Sequence, residues 1–360
     1  MKINFLTNTR MKVGIIGVRG LPAVYGAFDQ FADQFIKFAE KKEIKFYVTS
    51  CKFFNIKIKN VFQFFTPQFD NFLRIVSYFY SIIIMYLLGV RIFIFFGYGA
   101  SIFFKILSIL NCRIICNVDG IEWRRPNNFL KKKYFKLCEH LASKNYVNII
   151  CDSVVIQRYY SYHYKIKSNL IAYPGFDINE IFVNKITKKV GNKKNYEKFI
   201  VLGRLLEENN IEMIVDAFLK IYKENQCKKK LYIIGRRNDY FNKLFLNKIK
   251  LSKNILYLGS IYNRKKLLKF LLSADFYIHG HSAGGTNPTL IEAISVGLPV
   301  ISYKCSFNYS ILKKESLYFK NADDLSMILV KKKNIFPVEL GEQFSANYIN
   351  NSYLNLIYKL

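Results

Sequence analysis

The chain has 360 residues, room for two domains of ordinary size, and 51% are apolar and 17% aromatic, which excludes a disordered chain. Lys and Arg total 55 against 25 acidic residues, a formal net charge of +30, which calls for an anionic neighbour: nucleic acid, a phosphorylated substrate or an anionic membrane surface. Seven cysteines, at 51, 112, 116, 138, 151, 227 and 305, form no Cys-x-x-Cys pair and no zinc spacing, so reduced thiols are expected rather than a disulfide framework.

Met1 to Arg10 reads as a short extension with neither the apolar stretch nor the cleavage site of a signal peptide. Val13 to Gly17 reads as a buried strand, followed by the loop VRGLPAVYGAFDQ and an amphipathic helix from about Phe28 to Glu40. Gly17, Gly20 and Gly26 are not spaced as G-x-G-x-x-G, so the dinucleotide fingerprint is missing. Phe46 to Ser50 and Val61 to Phe65 are short strands, and an apolar helix from about Asn71 to Leu88 precedes the strand Ile92 to Phe96. The run Ile75 to Val90 falls short of the roughly 20 apolar residues that span a bilayer. A buried helix and a helix with one face in a membrane both fit it.

Ser101 to Leu110 reads as a helix and Arg113 to Val118 as a strand that ends in Asp119-Gly120-Ile121-Glu122-Trp123-Arg124-Arg125. Ligands of open parallel sheets bind at the carboxyl ends of strands, so two acids, two arginines and the only tryptophan stand where chemistry is expected. Asn127 to Lys144 is a basic helix with Lys131, Lys132, Lys133 and Lys136, either a solvated face or a contact with lipid headgroups. Asn148 to Cys151 is a strand ending at Asp152-Ser153, where it closes the first domain's cleft, and Lys185 to Lys198 is a polar, charged linker. The second domain opens with Phe199 to Leu202 and places Gly203 and Arg204 at a strand end. Leu231 to Gly235 and Ile255 to Gly259 are further strands, Arg264 to Ser273 is a helix, and Phe344 to Leu360 is a terminal helix. Alternating strands and helices yield parallel sheets covered on both faces.

The most informative stretch is HGHSAGGTNPTLIEA, residues 279 to 293. Small and turn-forming residues from Ser282 to Asn287 lead into a helix that Pro288 can open and Gly297 ends. A glycine-rich loop feeding a helix N-terminus gathers unpaired N–H donors at the positive end of the helix dipole, which suits phosphate. Glu292, one turn in, would repel phosphate and is expected to turn aside toward sugar hydroxyls. Together they point to a nucleotide diphosphate.

This stretch resembles the nucleotide-sugar loop of retaining GT-B glycosyltransferases of family 4, in particular a bacterial rhamnosyltransferase-like subgroup. VRGLPAVYGAFD resembles that subgroup's first loop, VDGIEWRR its VDGxEWKR motif, and IAYPGFD the family's hinge. The resemblance implies an α/β GT-B fold, two doubly wound Rossmann-like domains facing a central cleft. An acceptor-side domain would span residues 11–180 and a nucleotide-sugar domain residues 181–340, with the helix of residues 341–360 crossing back. It implies donor binding by Gly203, Arg204, His281, Ser282, Gly284, Gly285, Thr286, Asn287, Thr289, Leu290 and Glu292. Acceptor binding would fall to Arg19, Gly20, Tyr25, Gly26, Asp29, Glu122 and Trp123, and catalytic parts to Asp119, Arg204 and Glu292. Two departures stand out: Gly284 replaces the first of two family glutamates, and Asn209 replaces a lysine five residues after the arginine.

The expected activity is transfer of a sugar, rhamnose or a related deoxysugar, from a dTDP or UDP donor to a lipid-linked or oligosaccharide acceptor in bacterial surface polysaccharide synthesis. The setting would be the cytoplasm, against the inner face of the membrane. No metal or other cofactor is expected, because no Asp-x-Asp motif occurs. A non-catalytic sugar-binding relative and a nucleotide-sugar epimerase of the same fold remain alternatives. A nucleic-acid partner is not expected, since no binding module is recognisable.

Overall fold

A computed structural model describes residues 10–23, 26–52, 57–67, 74–125, 128–176, 196–223, 228–237, 244–331 and 335–359. The chain divides into two compact units, Met1–Ile171 with Asn350–Leu360, and Ala172–Ile349.

In the first unit seven strands, β1 (Met11–Ile16), β2 (Ile44–Ser50), β3 (Val61–Phe65), β4 (Ile92–Phe96), β5 (Arg113–Asn117), β6 (Val147–Cys151) and β7 (Asn169–Leu170), form one parallel sheet ordered β3-β2-β1-β4-β5-β6-β7. Helices α1 (Ala27–Phe38), α2 (Arg74–Leu87), α3 (Phe104–Ile109), α4 (Phe129–Ala142) and α5 (Val154–Tyr164) connect them. On α1, Phe31, Ala32, Phe35 and Ile36 recur at three- and four-residue spacing and are buried together, which is why this stretch is a helix with one face on the sheet.

The second unit has strands β8 (Glu197–Leu202), β9 (Lys229–Ile234), β10 (Ile255–Tyr257), β11 (Phe276–His279), β12 (Val300–Tyr303) and β13 (Leu317–Phe319), again all parallel, in the order β10-β9-β8-β11-β12-β13. Its helices are α6 (Ile211–Lys223), α7 (Leu244–Lys250), α8 (Arg264–Leu272), α9 (Pro288–Ser295), α10 (Ser306–Leu312) and α11 (Ala322–Val330). Side chains alternate along a strand, and here both alternations are apolar. Phe199 and Val201 of β8 enter one core with Ile214 and Phe218 of α6, while Ile200 and Leu202 enter a second with Leu268 of α8 and Leu290 of α9.

The last helix, α12 (Ala346–Tyr358), brings the C-terminal residues to the first unit. Tyr353, 1% exposed, packs on Phe31 and Phe35 with ring centroids 4.7 and 5.6 Å away, and its hydroxyl accepts a hydrogen bond from Asn117 Nδ2 at 2.9 Å. Two expected helices differ in form. The one expected over Phe28 to Glu40 ends at Phe38 and tightens into a 3-10 turn, Ala39–Lys41. The one expected over Ser101 to Leu110 begins as a 3-10 helix, Tyr98–Phe103, anchored by the buried Tyr98, before α3 follows.

Candidate functional site

In the second sheet the strand order reverses between β8 and β11: the chain leaves β8 toward β9 on one side and returns to β11 on the other. Loops diverge at such a point and leave room for a ligand at the carboxyl edge. Gly203 and Arg204 follow β8 and the loop from Gly280 to Asn287 follows β11, so the two expected halves of the donor site meet there.

The loop is braced from below. Ser282 donates from both its N–H and its hydroxyl to Glu208 O, at 2.8 and 2.9 Å. Asn210 Nδ2 donates to Gly280 O at 2.8 Å, and Asn308 Nδ2 to His281 O at 2.9 Å. A Cβ on Gly280 would lie 2.1 Å from Asn209 O, so only glycine lets the two segments approach this closely. Asn209, in the place of the family's lysine, uses its amide Nδ2 on Arg204 O at 2.6 Å. Its Oδ1 must then accept from His281 Nδ1, 2.7 Å away, which sets the His281 tautomer with the proton on Nδ1.

Asn287 caps α9, accepting from Thr289 N–H at 3.0 Å, and Pro288 fills the first helical position, where no N–H is needed. The Thr289 hydroxyl meets Asn287 Oδ1 at 2.8 Å and Tyr277 OH at 2.9 Å, so this side chain secures the cap. Leu290 is fully buried and its N–H returns to Asn287 O, while Thr286 is 4% exposed. Gly284 and Gly285 differ from these. Among the described residues neither N–H finds an acceptor, and both residues are partly exposed just ahead of the helix N-terminus. Arg204 is exposed, and among the described residues nothing engages its guanidinium.

Glu292 is 6% exposed and paired with a cation 28 residues earlier in the chain. Its Oε1 lies 3.0 Å from Arg264 Nη1, the first residue of α8, and Arg264 Nη2 donates to Gly175 O at 3.1 Å. The same guanidinium lies over the Phe176 ring at 4.1 Å. Ser295 Oγ, on the same helix as Glu292, accepts from Phe176 N–H at 3.0 Å, so the 175–176 segment is fastened to α9 through Ser295 and to α8 through Arg264.

Beneath the loop, His279 is 1% exposed and its Nδ1 lies 3.1 Å from Tyr277 OH. Burial, and then the nearby His281, hold its pKa well below the ordinary 6.5. The unfolded chain therefore takes up a proton below about pH 6.5 that the folded site refuses. Stability present at neutral pH is lost on acidification, by up to about 1.4 kcal/mol per pH unit. Melting temperatures between about pH 7.5 and 5 should fall more steeply for the wild type than for His279→Gln. Parallel profiles would contradict this.

In the first unit, the predicted acceptor-side residues lie on two loops at the carboxyl edge of one sheet. Asp119 adopts φ 59 and its N–H donates to Asn117 Oδ1 at 3.0 Å, a left-handed turn that Asp tolerates. Arg125 pairs with Glu122 at 2.9 Å and lies 3.7 Å from Asp119, so the three form one cluster. Trp123 donates from Nε1 to Glu139 Oε2 at 3.1 Å, with the Arg124 guanidinium 5.2 Å from its ring. Glu139 is fully buried and also accepts from Tyr159 and Tyr164 at 2.7 and 2.6 Å. Burial and then Glu139 push the Tyr159 phenol up to about 12, so it remains a donor at neutral pH. The buried carboxylate thus fixes the tryptophan, a role hidden in the sequence by the lysines around it.

On the other loop, Asp29 is 3% exposed and its Oδ1 accepts from Arg19 N–H at 3.0 Å, holding the loop to α1. Gly20 has φ +119, and a Cβ there would lie 2.8 Å from Ser50 Oγ. Gln63 clamps Leu21 through both ends of its amide, at 2.7 and 3.1 Å. Gly26 is the N-cap of α1, and Tyr25 lies outside the described residues.

Residues 182–329 match the family described as Glycosyl transferases group 1, and residues 10–72 and 79–176 match a domain of unknown function (DUF1972). An uncharacterized glycosyltransferase of Methanocaldococcus jannaschii is 34% identical over 109 residues, 30% of this chain and 26% of that protein. The chain spans between 26% and 43% of the length of the curated relatives it matches. Among solved structures, a sucrose-phosphate synthase from Thermosynechococcus elongatus aligns with a TM-score of 0.76 at 13% identity, covering 97% of this chain and 99% of that one. Anabaena HepE, in complex with UDP and glucose, aligns with a TM-score of 0.70 at 14% identity over 97% and 100%. Residues 182–329 are thus similar to the Glycosyl transferases group 1 family, and the chain has the two-domain GT-B fold.

Proposed function

We propose that the chain transfers a sugar from a nucleoside diphosphate donor to a carbohydrate acceptor. The observation that carries this reading is the pair of N–H groups of Gly284 and Gly285 just ahead of α9, unengaged among the described residues, on the sheet edge that also presents Arg204, whose guanidinium has no partner among those residues. Fixed donors, a helix dipole and a guanidinium suit a diphosphate, and they stabilise the charge that grows on it as the bond to the sugar breaks. Glu292 would hold donor hydroxyls while Arg264 keeps its carboxylate in place. The complex of Anabaena HepE with UDP and glucose supports a nucleotide-sugar donor.

The donor we assign is dTDP- or UDP-linked rhamnose or a related deoxysugar. It fits a loop in which Gly284 offers no carboxylate to a further hydroxyl. The acceptor would be a lipid-linked or oligosaccharide chain, held by Arg19, Glu122 and Trp123 with Asp119 beside them, and the product would serve bacterial surface polysaccharide synthesis. The enzyme would work at the cytoplasmic face of the membrane. Among the described residues no helix is long and apolar enough to cross one.

Incubating the protein with labelled nucleotide sugars and membrane lipid extracts tests this reading. Label should move to the acceptor and nucleoside diphosphate should be released. Donor binding without turnover across the panel would favour a non-catalytic sugar-binding protein. Activity should also survive EDTA, because Arg204 and the helix dipole are assigned the charge that a metal would otherwise neutralise. A strict need for magnesium or manganese would overturn that assignment.

A further inference from the structure

The first unit carries a surface that sugar transfer does not use. Val76, Phe79, Ile83 and Leu87 recur along one face of α2 and are 40–77% exposed. On α3, Ile106 and Ile109 are 56% and 70% exposed. Between the two helices runs a groove of about 130 Å³, whose walls include Phe79, Ile83, Leu87, Phe103, Ile106 and Leu110 and are entirely aliphatic or aromatic. A continuous apolar surface of this kind marks a contact with something apolar.

The charges around it identify the partner. From Asn71 to Val118 the sequence contains no acidic residue, yet it includes Arg74, Arg91, Lys105 and Arg113, all exposed. At the C-terminal end of α2, Lys12 Nζ donates to Leu88 O at 2.9 Å and the Arg91 guanidinium lies 4.0 Å over the Tyr86 ring, so cations collect beside the apolar face. The neighbouring α4, tied to the Tyr98–Phe103 segment by the hydrogen bond from Tyr134 OH to Gly99 O, repeats the pairing. Phe129 and Leu130 are 68% and 67% exposed, beside Lys132 and Lys133. A second copy of the chain would bring these cations against one another. An anionic bilayer offers acyl chains to the apolar face and countercharge to its rim.

We propose that the apolar face of α2 and α3 inserts into the acyl region of an anionic lipid bilayer, with the surrounding Lys and Arg side chains at headgroup level. This deepens the membrane-side part of the proposed function and rests on it only in placing the acceptor at a membrane. Vesicle binding is read without turnover, so its failure and a failure of sugar transfer are separate results.

The test compares the wild type with Leu87→Gln/Ile109→Gln, which removes exposed apolar groups and leaves net charge unchanged. The probes are phosphatidylcholine vesicles with and without phosphatidylglycerol. The wild type should float with the anionic vesicles and be partly released by salt. The variant, with an unchanged melting temperature, should bind at least about tenfold more weakly. Wild-type binding by the variant would overturn the proposal, as would equal binding to both vesicle types. A concentration-dependent dimer that the variant abolishes while vesicle binding persists would also overturn it, by making the second copy the occupant.

Discussion

Arg204→Ala should lower kcat by roughly a hundred- to a thousandfold, the loss that follows removal of one preorganised charge stabiliser, with a much smaller change in donor KM. The reason is position. Arg204 stands at the end of β8, exposed and unpaired among the described residues, beside the loop that follows β11. Its charge matters most when the diphosphate departs. Because no described partner depends on the guanidinium, the melting temperature should hold, and Arg204→Lys should recover part of the rate by returning the charge without the forked geometry. Near-normal kcat in a folded Arg204→Ala protein would make the arginine a surface cation.

Glu292→Ala and Arg264→Ala should share a different signature, a donor KM raised roughly ten- to a hundredfold with kcat less affected. Glu292 is assigned the donor hydroxyls, and Arg264 acts through it from 3.0 Å away. The double variant should therefore cost little more than either single change, as expected for residues working as one unit. Arg264→Ala should also destabilise the fold, by about 2–3 kcal/mol, since it takes the countercharge from a carboxylate that is 6% exposed and releases the Gly175–Phe176 segment. Independent, additive effects on KM would show that Arg264 does not position Glu292.

Where a feature depends on neighbours in sequence, the sequence makes it legible. The Asn287-Pro288 helix start and the strand-end placement of Gly203, Arg204 and Asp119 rest on local patterns, and the structure has them where those patterns put them. Helix α5 was not legible. Val154–Tyr164 is rich in β-branched and aromatic residues, which favour strands, and the helix forms because Ser153 Oγ caps it and Ile156 and Tyr160 reach the core. Long-range partners were hidden for a different reason. Arg264 precedes Glu292 by 28 residues, Asn209 precedes His281 by 72, and Ser295 follows Phe176 by 119, and no periodicity links such pairs. Glu139 was masked by composition, a lone carboxylate in a helix whose lysines dominate its appearance.

A crystal structure of the protein soaked with UDP would show whether a diphosphate binds on the Gly284–Gly285 backbone with Arg204 beside it. The expected map has phosphate oxygens within hydrogen-bond distance of both glycine N–H groups and of the Arg204 guanidinium, and ribose or sugar density beside Glu292. Nucleotide bound away from the carboxyl edge of β8 and β11, or an empty loop under saturating UDP, would contradict it.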